Sequence, residues 1–239
     1  MAGRVLWSFG GYSRSNMPAT LCGYLALGVA SGKGTTRSTW GLTVTTKLHF
    51  AHFLDRMDAL VAAKDDPHVI ADETGHLLAE LLEHPEFLED RFREPAPGHY
   101  RQHLVHVHPR ASYSVVSLVW KPGQATPIHD HRCWCVVGVL QGRELETRYH
   151  LYRSDDLAFL VADGEAVYAP GQVSRLVPPN EDIHRVSNAG AEGLSISIHV
   201  YGTDIGVQHT SINHVFDQPV MEAAPAGARR VSWRDAVGR

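Results

Sequence analysis

The spacing of apolar residues changes character once along the chain. From about Thr46, the run LHFAHFLDRMDALVAA sets Leu48, Phe50, Phe53, Leu54, Met57, Leu60 and Val61 at helical spacing. A second helical segment, DETGHLLAELLEH, opens at Asp72, where an acidic residue suits the positive end of the helix dipole. A short one follows at PEFLEDRF, and PAPG at Pro95–Gly98 closes the helical part. Beyond it the grammar is that of strands. YRQHLVHVH, ASYSVVSLVWK, HRCWCVVGVLQG, ELETRYHLYR, GEAVYAPG, QVSRLVPP, HRVSNAG and GLSISIHVYG alternate or run β-branched, and Gly, Pro and Asn punctuate them. Many short strands with regular turn signals predict an all-β barrel or sandwich behind an N-terminal helical segment.

The ends differ from this middle. Met1–Thr45 is rich in Gly, Ser and Thr without a clear period, which predicts poor order. Within it, LCGYLALGVA at Leu21–Ala30 is short and Gly-rich for a signal peptide, so an extension or a misassigned start, with Met17 as another start, is the expectation. The expected organisation is an extension over 1–45, a helical lead-in over 46–98, a barrel over 99–218 and a tail over 219–239 that packs as a last strand or frays.

Composition narrows the function. A net charge of −4 lacks the basic footprint of a general nucleic-acid binder. No run reaches the roughly 18–20 apolar residues of a membrane helix. Three cysteines, Cys22, Cys133 and Cys135, are too few for a disulfide framework, which makes a reducing cytoplasm the default. Histidine stands out, at 16 residues.

TPIHDHRCWCVVGVLQG, Thr126–Gly142, joins His-x-His to Cys-x-Cys. On one strand, His129 and His131 point to the same face with Cα atoms roughly 6.7 Å apart, close enough to converge on one ion. Cys133 and Cys135 share that face if the strand is unbroken, but His129 to Cys135 then spans roughly 20 Å, too far for a four-ligand zinc knot. A third ligand must come from elsewhere, and His184 in PPNEDIHRVSN, after a Pro-rich turn, is the candidate. His103, His106, His108 and His150 lack such support and read as surface or core-edge residues. In GLSISIHVYG, Ser197, His199 and Tyr201 fall at i, i+2 and i+4 on one strand face, where they can form a hydrogen-bond relay.

Gly123, His129, His131, Cys135 and Gly142 fit the first cupin motif, with Cys135 where most cupins carry glutamate, and Pro179, His184 and Asn188 fit the second, with Glu181 replacing glycine. Together with the HDH, VVGVLQG and SxHxY segments, they make the stretch Tyr100–Tyr201 resemble the cysteine dioxygenase family of cupin thiol dioxygenases. The resemblance implies a double-stranded β-helix, or jelly-roll, barrel with one Fe(II) per chain on His129, His131 and His184. A small thiol and O2 are then the partners, and the product is a sulfinate. With no carboxylate ligand, a thiolate substrate can bring the negative charge to the metal. The family uses the Ser197–His199–Tyr201 arrangement to aim the tyrosine hydroxyl at the iron. Its animal members can join a cysteine at the Cys135 position to that tyrosine by a thioether. Its carboxylate-binding arginine falls at Gln102, which resembles the bacterial branch acting on 3-mercaptopropionate rather than on L-cysteine. Three histidines with an open position also describe catalytic zinc, and a zinc enzyme or a non-catalytic small-molecule sensor remains the alternative. Monomer and homodimer stay open.

Overall fold

A computed structural model describes residues 39–179 and 181–236, with side chains from Leu48 onward. The expected extension over 1–45 lies outside the described residues up to 38. Its last residues belong to the first helix, α1, which runs Thr39–Ala63 and so begins before the apolar period is legible. Helix α2 spans Pro67–Leu82 and starts upstream of Asp72. Asp66 accepts the His68 backbone N–H at 2.9 Å, and Pro67 takes the first helical position, where its missing N–H costs nothing. PEFLEDRF forms two 3-10 turns, Pro85–Phe87 and Asp90–Phe92, rather than one helix.

The strands are β1 (Arg101–Val107), β2 (Ser114–Trp120), β3 (His129–His131), β4 (Cys135–Gln141), β5 (Glu144–Ser154), β6 (Leu157–Tyr168), β7 (Val173–Leu176), β8 (His184–Asn188), β9 (Ser195–Tyr201), β10 (Ile212–Val215), β11 (Val220–Met221) and β12 (Arg229–Arg230). Short helices α3 (Ile205–Gln208) and α4 (Trp233–Ala236) complete the set. They build two sheets. One is ordered β1-β2-β9-β4-β7, the other β10-β3-β8-β5-β6-β11, with β12 paired to β5. This is the expected all-β cupin barrel with an N-terminal helical segment.

Every residue of β2 and β9 is buried, because their sheet is covered on both faces. The outer face, with Val136, Ile196, Ile198 and Val200, packs against Leu77, Leu78, Leu81 and Leu82 of α2. Each such side chain, once buried, contributes about 1.5–3 kcal/mol. Glycine at 138 lets α2 approach: a Cβ there would stand 2.6 Å from Leu82 Cδ1 and 2.9 Å from Leu78 Cδ2. The inner face, with Val116, Leu118, Trp120, Val137 and Leu176, closes the barrel interior.

A single strand through Pro127–Val137 is not what forms. The chain leaves β3 in one sheet and enters β4 in the other, turning over Arg132–Trp134. The turn is held by bonds that a straight strand could not make. Arg132 N–H donates to Ser211 O at 3.0 Å, and Trp134 O accepts the Gly202 N–H at 3.0 Å. Cys135 therefore sits on the sheet opposite the two histidines, and Cys133 lies outside any strand. The tail packs through residue 236: β11 runs parallel to β6, β12 antiparallel to β5, and the Trp233 ring meets Phe216 edge-on at 5.5 Å. Among the described residues no helix is long and apolar enough to cross a membrane.

Candidate metal centre

Antiparallel pairing brings the two motifs together. β3 lies beside β8 with His129 opposite His184, and the two-residue period turns His131 to the same side as His129. The three imidazole centroids are 4.7–5.0 Å apart. One nitrogen from each ring lies within 4.8 Å of the others, and all three residues are buried.

The outward nitrogens settle which ones face inward. His129 Nδ1 lies 3.0 Å from Pro127 O, and His184 Nδ1 lies 2.7 Å from Glu146 Oε1. His131 Nδ1 faces Asp182 at 3.5 Å, too long for a good hydrogen bond, while Asp182 Oδ2 accepts the His131 backbone N–H at 2.6 Å. With each Nδ1 turned outward, three Nε2 atoms converge on one point. Burial, then the neighbouring imidazoles, hold His129 well below its ordinary pKa. Burial also lowers His184, against the opposing pull of Glu146. Neutral imidazoles with their second nitrogen tied down are the form that binds a metal, and His129 and His184 are both held that way. The donor set fits a ferrous or zinc ion.

Glu146 and Asp182 do not stand out in the sequence. Glu146 is buried, and burial alone would raise its pKa. The His184 hydrogen bond, the Arg148 charge and the Ser174 hydroxyl pull it the other way and hold it below the usual carboxylate range. Ser174 Oγ donates to Glu146 Oε2 at 2.8 Å, and Arg148 reaches the same oxygen at 3.4 Å. The available signal is faint: acidic residues at alternate positions of a strand otherwise expected to show its polar face to solvent.

Ser197, His199 and Tyr201 are all buried on the inner face of β9. Ser197 Oγ lies 2.9 Å from His199 Nε2, and Tyr201 OH lies 3.1 Å from His199 Nδ1. Tyr201, His199 and Gln102 line the same small cavity as the three candidate ligands. Its free space is about 20 Å³, room for about one water. Cys135 is the register partner of Tyr201, and burial pushes both groups well above their ordinary pKa. Asn188 lies outside this cavity's lining. Its amide donates to Trp120 O and Gly193 O, both at 3.2 Å, which fixes the end of β8. His108 is buried, not at the surface, and stacks on Tyr113 at 5.1 Å.

His49, His84 and Glu86 form a second group of ligand-type atoms on the helical side. The His49 and His84 rings lie nearly parallel with centroids 3.5 Å apart, face to face rather than converging.

Among solved structures, the chain is similar to a protein of Thermus thermophilus, at 22% identity over 48% of this chain and 92% of that one, with a TM-score of 0.37. It is also similar to a cupin 2 conserved barrel domain protein from Salinispora arenicola, at 19% identity over 51% and 91%, with a TM-score of 0.34. The family model for cysteine dioxygenase type I matches residues 90–209, a span that begins in the last 3-10 turn and takes in most of the metal cavity. Because that span is just over half of the 239 residues, the chain belongs to the cysteine dioxygenase type I family and is an enzyme of the thiol dioxygenase kind.

Proposed function

We propose that this protein is a non-haem Fe(II) dioxygenase that adds both atoms of O2 to the sulfur of a small thiol carboxylate, 3-mercaptopropionate or L-cysteine, giving the sulfinate. The observation that carries this reading is the donor set: three buried imidazoles, with Cys135 in place of a carboxylate. Ferrous iron held by His129, His131 and His184 would supply the redox chemistry that joins thiolate and dioxygen. Three neutral ligands leave the cavity without a fixed anion to repel a thiolate. Tyr201 holds its hydroxyl at the cavity wall, His199 orients it, and Ser197 orients His199. Gln102 offers amide donors to the substrate carboxylate, a softer grip than an arginine fork. The free Cys133 and Cys135 suit a reducing compartment such as the cytoplasm.

Metal analysis of the purified protein separates iron from zinc. Oxygen uptake with 3-mercaptopropionate, L-cysteine and cysteamine then tests the chemistry. Uptake with the two carboxylate thiols above cysteamine supports the reading, and no uptake with any of them in iron-loaded protein removes it. Gln102→Ala is expected to raise KM for the carboxylate thiol about tenfold, the value of one hydrogen bond to a charged group. An unchanged KM takes Gln102 out of the site.

Cys135 and Tyr201, register partners on β4 and β9, are expected to form a thioether during turnover, with O2 as the oxidant that takes the two hydrogens removed. Intact-peptide mass spectrometry is expected to find one linked species, lighter by two hydrogens than the two peptides together. Recovery of both peptides unlinked after turnover excludes the bond.

A further inference from the structure

One buried carboxyl has no part in the chemistry above. Glu144, at the start of β5, is 2% exposed. Its Oε1 lies 3.0 Å from the Ser195 hydroxyl, which also lies 3.1 Å from Gln141 O. Ser195 has one hydrogen for two acceptors. The conflict disappears if Glu144 is a neutral acid that donates to Ser195 while Ser195 donates to Gln141 O. Oε2 has no hydrogen-bond partner, although the Ser197 hydroxyl is near enough to favour the ionised carboxyl. Ser197 is the far end of the Ser197–His199–Tyr201 relay.

Hydrogen counting along the relay leaves two arrangements. Ser197 Oγ accepts Trp120 Nε1–H at 3.3 Å and has one hydrogen to give. If Glu144 is neutral, its free carbonyl oxygen is a weaker acceptor than an imidazole nitrogen, and Ser197 donates to His199 Nε2. His199 then carries its hydrogen on Nδ1 and donates to the Tyr201 oxygen. The Tyr201 hydrogen is free to point into the cavity. If Glu144 is ionised, it takes the Ser197 hydrogen. His199 then donates from Nε2 to Ser197, and its Nδ1 accepts the Tyr201 hydrogen, which is drawn away from the cavity.

We propose that Glu144 is a positioning residue that sets the direction of the Ser197–His199–Tyr201 relay, and through it decides whether Tyr201 presents a hydrogen to the metal cavity. The role of that relay rests on the function proposed above. Burial and the neighbouring Glu146 charge favour the neutral form of Glu144, and the Ser197 and Ser195 hydroxyls favour the ionised one. Glu146 on its own strand adds a negative charge, and Tyr168 from β6 and His184 from β8 line the same cleft. Asn188 of β8 is its register partner, β9 presents Ser195, Ser197 and, beyond them, His199, and β4 presents Val137 and Val139. Among the described residues lining that cleft there is no Lys or Arg. Burial chiefly, opposed by the Ser197 and Ser195 hydroxyls and aided by the Glu146 charge, raises Glu144 to about 7, so both arrangements fall within ordinary pH.

The test reads the His199 tautomer by long-range 15N–1H NMR on the full chain, without metal and loaded with diamagnetic zinc(II). The signal is assigned by its loss in His199→Gln. In the wild type the hydrogen is expected on Nδ1 below the Glu144 midpoint and on Nε2 above it. Glu144→Gln, which mimics the neutral acid, is expected to keep it on Nδ1 throughout. Ser197→Ala, which cuts the link while leaving the carboxyl in place, is expected to abolish the pH response. A wild-type tautomer that does not change across the midpoint overturns the proposal, as does a wild-type response in either variant. Neither readout needs turnover, so failure of the dioxygenase reading shows separately, in oxygen uptake.

Discussion

His184→Ala protein is expected to emerge from gel filtration with almost no bound metal, and with thiol-dependent oxygen uptake below about one-hundredth of wild type. The substitution removes one of three converging nitrogens and leaves two, which cannot fix an ion in a facial arrangement. It also strands Glu146 Oε1 in a buried site with its 2.7 Å partner gone. Glu146→Gln separates these effects. The amide oxygen can still accept from His184 Nδ1, so the ring stays oriented, but the charge that makes the imidazole a better donor is lost. Metal affinity in that variant is expected to fall about 10- to 100-fold, less than in His184→Ala. Competition with a metal buffer measures the difference. Stoichiometric metal in His184→Ala would remove this residue from the ligand set, and unchanged affinity in Glu146→Gln would reduce the Glu146–His184 bond to a packing contact.

These two residues also differ in how far the sequence reveals them. His129 and His131 are legible because a two-residue period forces them onto one side of a strand. His184 is legible as a motif, but its pairing with His129 depends on β3 lying beside β8, a contact between residues far apart in sequence. The strand break at Arg132–Trp134 is not legible, since every residue from His131 to Val137 suits a strand. Partners at Ser211 and Gly202 decide it, and both belong to distant segments. Glu144 and Glu146 are hidden for a related reason. In ELETRYHLYR an acidic residue at alternate positions reads as a solvated face. Here that face is buried, because β7, β8 and β9 supply Ser174, His184 and Ser195 to receive the carboxyls. Helix α2 starts earlier than Asp72 for a local reason. The Asp-Asp-Pro signal at its start is a stronger stop-and-start mark than the acidic residue at Asp72, because it supplies both a cap and a preset first turn.

Tyr201→Phe should divide metal binding from chemistry. The ring stays in place, since it is buried between Cys135 and the barrel interior; the His129 and His184 imidazoles keep their partners at Pro127 and Glu146, and the His131 backbone keeps Asp182. Iron content is therefore expected to match wild type. What goes is the one phenolic hydrogen that the His199 relay holds at the cavity wall. His199 Nδ1 loses its 3.1 Å partner, and burial, which holds this imidazole at about 3, keeps it from answering by taking up a proton. A positioned proton donor contributes about 10²- to 10⁴-fold, so sulfinate formation is expected to slow by about 10²-fold or more at unchanged iron content. Oxygen consumed per sulfinate formed should rise, because oxygen loses the group that orients it. Cys135→Ala provides the control. It keeps the phenol and removes any thioether, so it should retain far more activity than Tyr201→Phe if the hydroxyl is the active element. Equal losses in the two variants would mean that the crosslink, and not the relay, sets the rate. Wild-type turnover and coupling in Tyr201→Phe would end the role proposed for all three relay residues, because Ser197 and His199 reach the cavity chemistry through that hydroxyl.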